Sequence, residues 1–380
     1  MGEHQHPVRV CLVISNLELG GAERQVVQIA NGLDKSRFSV TVVTLGEPNP
    51  LADLLDSDVS YECILRRSKL DPTQLIRLTR LLRAQRFNVV HGFLFDAEML
   101  TRVAAAIART PLVLGSERNA DYEVPAKKRR FYRLTRSLMD RCIANSYAGA
   151  RFNQKLYGLS EDRYTVVQNG VDTERFRPRS QEDKQRIRAS LGLGAEQQVV
   201  GVFASMKEQK NHLMLIRAAE RLDQQIPNVQ YLFVGGELES GQRDTSSYAR
   251  KLAAAIENST IKSQFHLLGK RADVEDLYPC CDLTALPSWH EGLPNVLLES
   301  VACGVPVVAT DVSDNARLIA DFGFGAIVPS DDDSAMAAEL ELALQTALSP
   351  CQIKQLTAVR ERISRAAMIH NISSVYAQTH

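Results

Sequence analysis

Short apolar runs alternate with amphipathic segments along the chain, and this alternation restricts the fold more than any other feature. The apolar runs have the length of buried strands, and the segments between them show helical spacing of apolar residues. In the first half, the predicted strands cover residues 8–14, 39–45, 59–64, 88–91, 112–115, 142–145 and 165–168. The predicted helices between them cover 22–33, 72–84, 99–108 and 148–157. This repeated order predicts a mostly parallel sheet with helices on both faces.

The alternation pauses between residues 169 and 178, where Asn169-Gly170 is a turn signal. A second series of strands and helices is predicted at 199–204, 211–222, 229–235, 247–255, 264–268, 283–286, 305–309 and 326–328. A chain of 380 residues is long enough to form two cores. We therefore expect two doubly wound α/β domains, residues 1–177 and 178–362, that face each other across a cleft. A helix is expected within 363–380. Ligands of such sheets bind outside the carboxyl ends of the strands.

Charge and cysteine content exclude several classes of protein. The net charge is zero and no nucleic-acid-binding module is recognisable, so nucleic acid is not an expected partner. The seven cysteines are scattered without a C-x-x-C pair, which disfavours a disulfide framework and a zinc site. No apolar run is long enough to span a bilayer, and the N-terminal residues do not resemble a signal peptide. These features predict a cytoplasmic protein, with any membrane contact peripheral and on the inner face of the cell membrane.

The stretch 283–309 predicts strand, loop, helix and strand in turn, and it is the most informative part of the sequence. The loop carries Glu291, and Gly292 lets the backbone approach a ligand closely. Pro294 suits the first turn of the helix, where its missing N–H costs nothing. Glu291 therefore precedes a helix N-terminus, which favours phosphate, and Glu299 lies about two turns further along the helix.

Two glutamates eight residues apart at such a junction resemble the E-x7-E signature of retaining glycosyltransferases of family 4, which have the GT-B fold. The resemblance implies that Glu291 lies by the donor sugar and that Glu299 binds the ribose hydroxyls of the nucleotide. It adds Gly292, Leu293 and Asn295 to the donor site. The alternative is a capped surface helix with two solvated glutamates. The stretch 167–178 also resembles the link between the two domains of that family. By the same resemblance, the helix within 363–380 is expected to cross back and pack on the first domain.

Lys210 matches the family lysine that binds the donor pyrophosphate, and the sequence predicts that it opens a helix. An ammonium there can neutralise the charge that grows on the departing diphosphate. The usual partner is an arginine five residues earlier, where this chain has Ser205. Lys207 is the candidate for the second cation, although a lysine lacks the bidentate fork of arginine. The alternative is that Lys210 is an ordinary solvated lysine in the first turn of a helix.

Glycine turns mark two further candidate positions. Gly20 and Gly21 follow the first predicted strand and open a helix, and family members carry a similar loop near the donor phosphates. Gly235 ends a strand of the second half and resembles the glycine turn near the donor, and Arg271 falls where relatives hold the base. Tight structural turns and a solvated arginine explain these residues equally well.

Two residues of the first half end predicted strands and are candidate substrate contacts. His91 resembles a strand-end histidine of the family, and a hydrogen-bonded structural histidine is an equal alternative. Arg118 stands in a segment where many relatives have a histidine that touches the donor sugar. This departure leaves the contacts made by the first domain open.

The segment 127–136 packs six cations into ten residues, with Phe131, Tyr132 and Leu134 between them. Residues 1–177 as a whole carry 26 lysines and arginines against 20 acidic residues. Such a segment can lie on an anionic membrane surface, or it can be one solvated face of a helix. An anionic membrane is therefore an expected partner of the first domain.

The resemblance implies a retaining glycosyltransferase that needs no metal and no cofactor other than the nucleotide-sugar co-substrate. UDP is the expected nucleotide rather than GDP or ADP. The acceptor is expected to be a glycan or lipid-linked glycan, as in bacterial cell-surface polysaccharide synthesis. One alternative is a non-hydrolysing UDP-N-acetylhexosamine 2-epimerase, which shares the two-domain architecture. Another is a catalytically degenerate transferase that serves as a binding subunit, for which Ser205 in place of the arginine is the only support.

Overall fold

The structure is a computed structural model that describes residues 6–18, 20–66, 71–118, 124–236 and 245–378. The chain divides into two compact units. One contains the residues up to Gly170 together with Arg365–His380, and the other contains Val171–Ser364. The sequence analysis placed the two boundaries after residues 177 and 362.

The first unit is built on a seven-stranded parallel sheet of order β3-β2-β1-β4-β5-β6-β7. Its strands are β1 (Val8–Ile14), β2 (Phe38–Thr44), β3 (Ser60–Cys63), β4 (Val89–Gly92), β5 (Leu112–Glu117), β6 (Arg141–Ala144) and β7 (Tyr164–Val166). Its helices are α1 (Gly21–Gly32), α2 (Thr73–Gln85), α3 (Phe95–Ala108), α4 (Ala126–Thr135) and α5 (Tyr147–Tyr157). The strand order reverses between β1 and β4, as in doubly wound folds.

The second unit repeats this plan with a six-stranded parallel sheet of order β10-β9-β8-β11-β12-β13. Its strands are β8 (Val199–Phe203), β9 (Gln230–Val234), β10 (Phe265–Gly269), β11 (Leu283–Leu286), β12 (Val307–Thr310) and β13 (Gly325–Val328). Its helices are α6 (Gln181–Ser190), α7 (His212–Leu222), α8 (Thr245–Glu257), α9 (Val274–Leu277), α10 (Asn295–Ala302), α11 (Asn315–Phe322), α12 (Asp333–Gln345) and α13 (Pro350–Arg362). Here the order reverses between β8 and β11.

Both sheets are buried on both faces, which confirms the predicted doubly wound fold. Alternate residues of β1 enter different clusters: Leu12 packs in one and Val13 in the other. In β8, Val199 and Val200 are divided in the same way. Successive side chains of a strand point to opposite faces, so a strand covered on both sides reads as a continuous apolar run.

The last helix, α14 (Arg365–Tyr376), belongs to the first unit. Its residues Ile369, Ile372 and Val375 are buried in the same cluster as β1 and β2. Tyr376 packs edge-on against Phe38, with ring centroids 6.4 Å apart. The first unit is therefore closed by a segment that is remote from it in the sequence.

Two helices, α7 and α10, start later than the sequence predicted. Lys210 does not open a helix, because it ends a 3₁₀ turn and Asn211 then adopts a left-handed conformation with φ 46°. Asparagine tolerates this conformation better than most residues, so the chain can change direction there before α7 begins. Pro294 precedes the first residue of α10, with ψ 87°, and its carbonyl accepts the backbone N–H of Leu297.

Candidate active site

The loops that carry the predicted donor-binding residues meet at the switch point of the second sheet. β8 and β11 are neighbours, with Leu283 paired to Val200 and Thr284 to Gly201. The loop after β8 carries Lys207 and Lys210, and the loop after β11 carries Glu291. Parallel strands end at the same edge of a sheet, and ligands of doubly wound folds bind at this position.

Lys210 and Glu291 form an ion pair at this edge. The Lys210 Nζ atom lies 2.6 Å from Glu291 Oε1, and the Ser288 hydroxyl donates to the same oxygen over 2.7 Å. The Glu291 side chain is 8% exposed and that of Lys210 is 18% exposed. Both contacts use Oε1, which leaves Oε2 of Glu291 for another donor. The pair is thus largely buried, with one carboxylate oxygen left for a ligand.

Backbone contacts hold the two loops together around this pair. The Trp289 backbone N–H donates to the Gln209 carbonyl over 2.9 Å, and the Gln209 side-chain amide donates to the His290 carbonyl over 2.6 Å. The Thr310 hydroxyl donates to the Ser288 carbonyl over 2.5 Å. Side chains fixed by such contacts lose less freedom when a ligand binds.

Lys207 lies near Lys210 and carries the second cation of the loop. Burial, and then the neighbouring Lys210 charge, lower the pKa of Lys207. Within the described parts of the chain, no acidic side chain pairs with the Lys207 ammonium. Two ammonium groups in one loop, one of them without an acidic partner among the described residues, favour the binding of an anion such as a diphosphate.

Glu299 is held on α10 by an aromatic residue that the sequence analysis did not identify. The Tyr278 hydroxyl donates to Glu299 Oε2 over 2.7 Å. The Tyr278 ring is stacked on Phe203 of β8, with centroids 3.7 Å apart. Burial raises the pKa of Glu299 to about 7, although the Tyr278 hydrogen bond acts in the opposite direction. The carboxyl group therefore changes charge near neutral pH.

Gly235 follows β9 directly, and its backbone packs against the start of the loop after β8. Its φ is 152°, and a Cβ placed on it would lie 2.0 Å from the Ala204 carbonyl oxygen. Only glycine fits this close approach. Arg271 lies after β10, where Asp273 holds its guanidinium over 2.6 Å. It is partly exposed, and any contact with a base would compete with this ion pair.

The remaining predicted residues of this segment surround the start of α10. The Ser313 hydroxyl donates to the Gly292 carbonyl, which ties the loop to the chain after β12. Leu293 is buried in the core, and Asn295 is exposed as the first residue of α10. Gly292 and Asn295 are thus accessible to a ligand, whereas Leu293 acts mainly through packing.

In the first unit, Gly20 and Gly21 lie at the N-terminus of α1, as the sequence predicted. Gly20 has the extended conformation of an N-cap, and its neighbour Gly21 has open space around it. The Glu23 carboxylate folds back over Gly20, so closely that a Cβ placed on Gly20 would lie 2.0 Å from Glu23 Oε2. Burial raises the pKa of Glu23. An anionic ligand at this helix end would have to displace that carboxylate.

His91 and Arg118 lie at the carboxyl ends of β4 and β5 in the same unit. His91 is fully buried, with Nδ1 2.7 Å from the Tyr376 hydroxyl and Nε2 3.0 Å from the Ser116 hydroxyl. This is the arrangement of a structural histidine, the alternative that the sequence left open. Arg118 donates to the Asn169 side chain over 2.9 Å, and burial lowers its pKa to about 10.

The sequence analysis missed three residues that hold the carboxylates in place. Ser288 lies three residues before Glu291, and its hydroxyl was a readable signal for a local contact. Tyr278 and Thr310 reach the site from other strands and turns, and no local pattern relates them to it. Such contacts depend on the order of the strands in the sheet, and the spacing of residues along the chain does not reveal that order.

The described residues contain neither a cluster of metal ligands nor a membrane-spanning helix. No three His, Cys, Asp or Glu side chains cluster there as metal ligands. Among the described helices, none has the length and apolar character needed to cross a bilayer.

Family models match both units. The model for glycosyltransferase family 4 matches residues 19–175, and that for glycosyl transferases group 1 matches residues 183–362. The UDP-Gal:alpha-D-GlcNAc-diphosphoundecaprenol alpha-1,3-galactosyltransferase of Escherichia coli is 26% identical over 331 residues, covering 83% of this chain and 82% of that protein. A D-inositol 3-phosphate glycosyltransferase of Mycobacteroides abscessus is 34% identical over 191 residues, covering 50% of this chain and 41% of that protein.

Solved structures show the same fold at low sequence identity. HepE of Anabaena in complex with UDP superimposes with a TM-score of 0.86 at 20% identity, covering 97% of this chain and 100% of that one. A glycosyltransferase from Rickettsia africae gives a TM-score of 0.83 at 17% identity, covering 98% and 99% of the two chains. Family models, relatives and fold agree, and this chain is a GT-B glycosyltransferase of family 4.

Proposed function

We propose that this glycosyltransferase moves a sugar from a UDP-sugar to a hydroxyl of a glycan or lipid-linked glycan, with retention at the anomeric carbon. The observation that carries the proposal is the Lys210–Glu291 pair at the switch point of the second sheet. A cation beside a braced carboxylate suits a ligand that has both a diphosphate and sugar hydroxyls. Bacterial cell-surface polysaccharide synthesis is the proposed setting.

Each residue has a separate role in the proposed reaction. Lys210, with Lys207 beside it, neutralises the charge that develops on the leaving diphosphate. Glu291 accepts hydrogen bonds from the donor sugar through its open Oε2, and Glu299 accepts them from the ribose. The departing diphosphate takes the proton of the attacking hydroxyl on the same face of the sugar. No carboxylate nucleophile is then required, and the anomeric configuration is kept.

Relatives support the choice of donor and acceptor. The E. coli relative is named for transfer from UDP-Gal to a GlcNAc-diphosphoundecaprenol acceptor. HepE, which has the same fold, was solved with UDP and with UDP-glucose. UDP-hexoses and a polyprenyl-diphosphate-linked sugar are therefore the first compounds to test.

A thermal-shift panel of UDP-, GDP- and ADP-sugars tests the donor. A ligand that binds only the folded state raises the unfolding temperature, so one nucleotide class should stand out. Release of free nucleoside diphosphate is then followed with and without acceptor. Acceptor-dependent release supports transfer. An intact nucleotide with an altered sugar would instead indicate the 2-epimerase, and donor binding without turnover would indicate a degenerate binding subunit.

A further inference from the structure

We propose that the outer face of α4 docks on an anionic lipid membrane. This face comprises Lys127, Arg130, Phe131 and Leu134, and it continues into the 3₁₀ turn after the helix at Leu138. The apolar side chains would enter the headgroup region while the cations contact anionic headgroups. The proposal deepens the proposed function, because a lipid-linked acceptor lies in a membrane, but vesicle binding is measured without any sugar transfer.

The inner face of α4 is fixed in the first unit. Tyr132 is buried and stacks on Tyr157 of α5, with ring centroids 3.7 Å apart and an interplanar angle of 12°. The Arg102 guanidinium of α3 lies 3.9 Å from the centre of the Tyr132 ring, and it pairs with the buried Glu98. Thr135 is buried beside them. The helix cannot turn its outer face inward without breaking this stack.

Three large apolar side chains on the outer side are therefore held in solvent. Phe131 is 46% exposed, Leu134 is 68% exposed and Leu138 is 37% exposed. At the angular spacing of an α-helix, Lys127, Arg130, Phe131 and Leu134 fall within an arc of roughly 100°. Contiguous apolar residues flanked by cations are typical of helices that lie in a membrane interface.

The cations of this segment divide into two groups. Arg133 and Arg136 are used inside the protein, since they donate to the Leu156 and Tyr157 carbonyls at the end of α5. Lys128 lies 3.7 Å from Asp96. In the described parts of the chain, Lys127, Arg129 and Arg130 have no acidic partner. Two of these, Lys127 and Arg130, lie on the outer face beside the apolar residues. Cations without an acidic partner among the described residues favour an anionic surface over a neutral one.

A groove of about 810 Å³ lies within the first unit, near the start of α4. It lies at the carboxyl ends of β1 and β2, and Asp96, Ala97 and Leu100 of α3 form part of its wall. Lys128 of α4 reaches Asp96 at the rim of the groove. A membrane held by α4 would thus present its lipid-linked molecules next to a groove at the ligand-binding edge of the first sheet.

Vesicle co-sedimentation of the full chain tests the proposal. The vesicles are phosphatidylcholine alone and phosphatidylcholine mixed with phosphatidylglycerol, at low and high salt. A cation variant carries Lys127→Gln and Arg130→Gln, and an apolar variant carries Phe131→Ser and Leu134→Ser. Matched controls are Arg80→Gln, an exposed arginine of α2, and Leu342→Ser, an exposed leucine of α12. Unfolding temperatures establish that each variant folds.

We expect the wild type to prefer anionic vesicles and to be released by salt, because salt screens the attraction. Each cation near an anionic surface changes the affinity about fivefold, so the cation variant should bind about 25-fold more weakly. The apolar variant should lose binding at least tenfold, and both controls should match the wild type. Equal binding to neutral and anionic vesicles, or no binding at low salt, would overturn the proposal. Losses of vesicle binding in the control variants as large as those in the α4 variants would also overturn the proposal. Binding of an acidic protein without binding of vesicles would overturn it in favour of a protein partner.

Discussion

The contact between Lys210 and Glu291 combines a charge that neutralises a leaving group with an oxygen that can orient a sugar. Its two side chains come from loops 81 residues apart in the sequence. The hydroxyl of Ser288, in the same loop as Glu291, donates to the carboxylate. The electrostatic part of the proposed reaction depends on Lys210, with Lys207 beside it. The orienting part depends on Glu291. Substitutions can therefore separate the two contributions.

Lys210→Ala should lower turnover on the order of a hundredfold or more, as expected when a stabiliser of a charged leaving group is lost. Lys207→Ala should also lower turnover if it replaces the arginine found in relatives. Lys354→Ala, which removes an exposed lysine of α13, is the control and should retain full activity. Steady-state kinetics with saturating donor measure these effects. Wild-type turnover in Lys207→Ala beside an inactive Lys210→Ala would show that a single cation is sufficient.

The two glutamates should respond differently to substitution. Glu299→Ala should weaken nucleotide binding by roughly 1–3 kcal/mol, which is typical of losing a hydrogen-bonded charged group. Glu291→Gln keeps the side-chain shape and should reduce turnover more than nucleotide affinity. Calorimetric titration with UDP and initial rates separate the two effects, with Glu196→Ala, an exposed glutamate of the same unit, as control. Unchanged affinity and turnover in both variants would refute the assignment of the site.

Nucleotide affinity should depend on pH through Glu299. Its pKa is about 7, so the carboxyl group is largely protonated below neutral pH and ionised above it. A ribose hydroxyl donates more strongly to the ionised form, because charge-assisted hydrogen bonds are stronger than neutral ones. Affinity for UDP should therefore rise as the pH increases through 7. Glu299→Gln, measured in the same buffers, is the control, because the titration of UDP itself affects both proteins equally. An equal pH dependence of UDP affinity in the wild type and in Glu299→Gln would contradict the role of Glu299.

At the scale of elements, the turn after β9 controls the shape of the loop that carries the cations. Gly235→Ala would force a Cβ against the Ala204 carbonyl and leave a non-glycine residue at φ 152°. We expect a loss of about 1–3 kcal/mol in the free energy of unfolding, together with weaker donor binding. Gly192→Ala is the matched control, because Gly192 also has a positive φ, of 75°, but has open space around it. Equal stability losses and unchanged donor affinity would show that the contact with Ala204 is unimportant.

Most strands could be predicted because burial on both faces makes each one a continuous apolar run. The predicted strand 8–14 coincides with β1, and the other strands of the first sheet are displaced by only a few residues. The late helices of the second unit were not predicted. In α12 the alanines between Met336 and Leu340 blur the apolar stripe, so the helical period is weak. For α13 the start was readable, since Ser349 and Gln352 form a capping box around Pro350.

The site was only partly predictable for a different physical reason. Lys210 and Glu291 were both identified from the resemblance to the family, but their ion pair requires β8 and β11 to be neighbours. That adjacency follows from the strand order and not from the local sequence. Tyr278 was missed because its hydroxyl reaches Glu299 from a turn 21 residues away. His91 satisfied the pattern for a strand-end contact, yet Tyr376, at the far end of the chain, occupies one of its ring nitrogens.

For the whole molecule, activity should be independent of divalent metal ions. In the proposed reaction, Lys210, Lys207 and the start of α10 supply the positive charge that other transferases take from a metal ion. Dialysis against EDTA should leave the initial rate unchanged, and added magnesium or manganese should not raise it. A loss of activity that either metal restores would refute the metal-free mechanism.

The central claim is that the molecule transfers a sugar from a nucleotide and keeps its anomeric configuration. The most direct measurement follows the acceptor by mass spectrometry and the new glycosidic linkage by proton NMR, alongside the release of UDP. We expect one added sugar for each UDP released, with the anomeric configuration of the donor and with Lys210→Ala nearly inactive. An unchanged acceptor, or a product with inverted configuration, would contradict it.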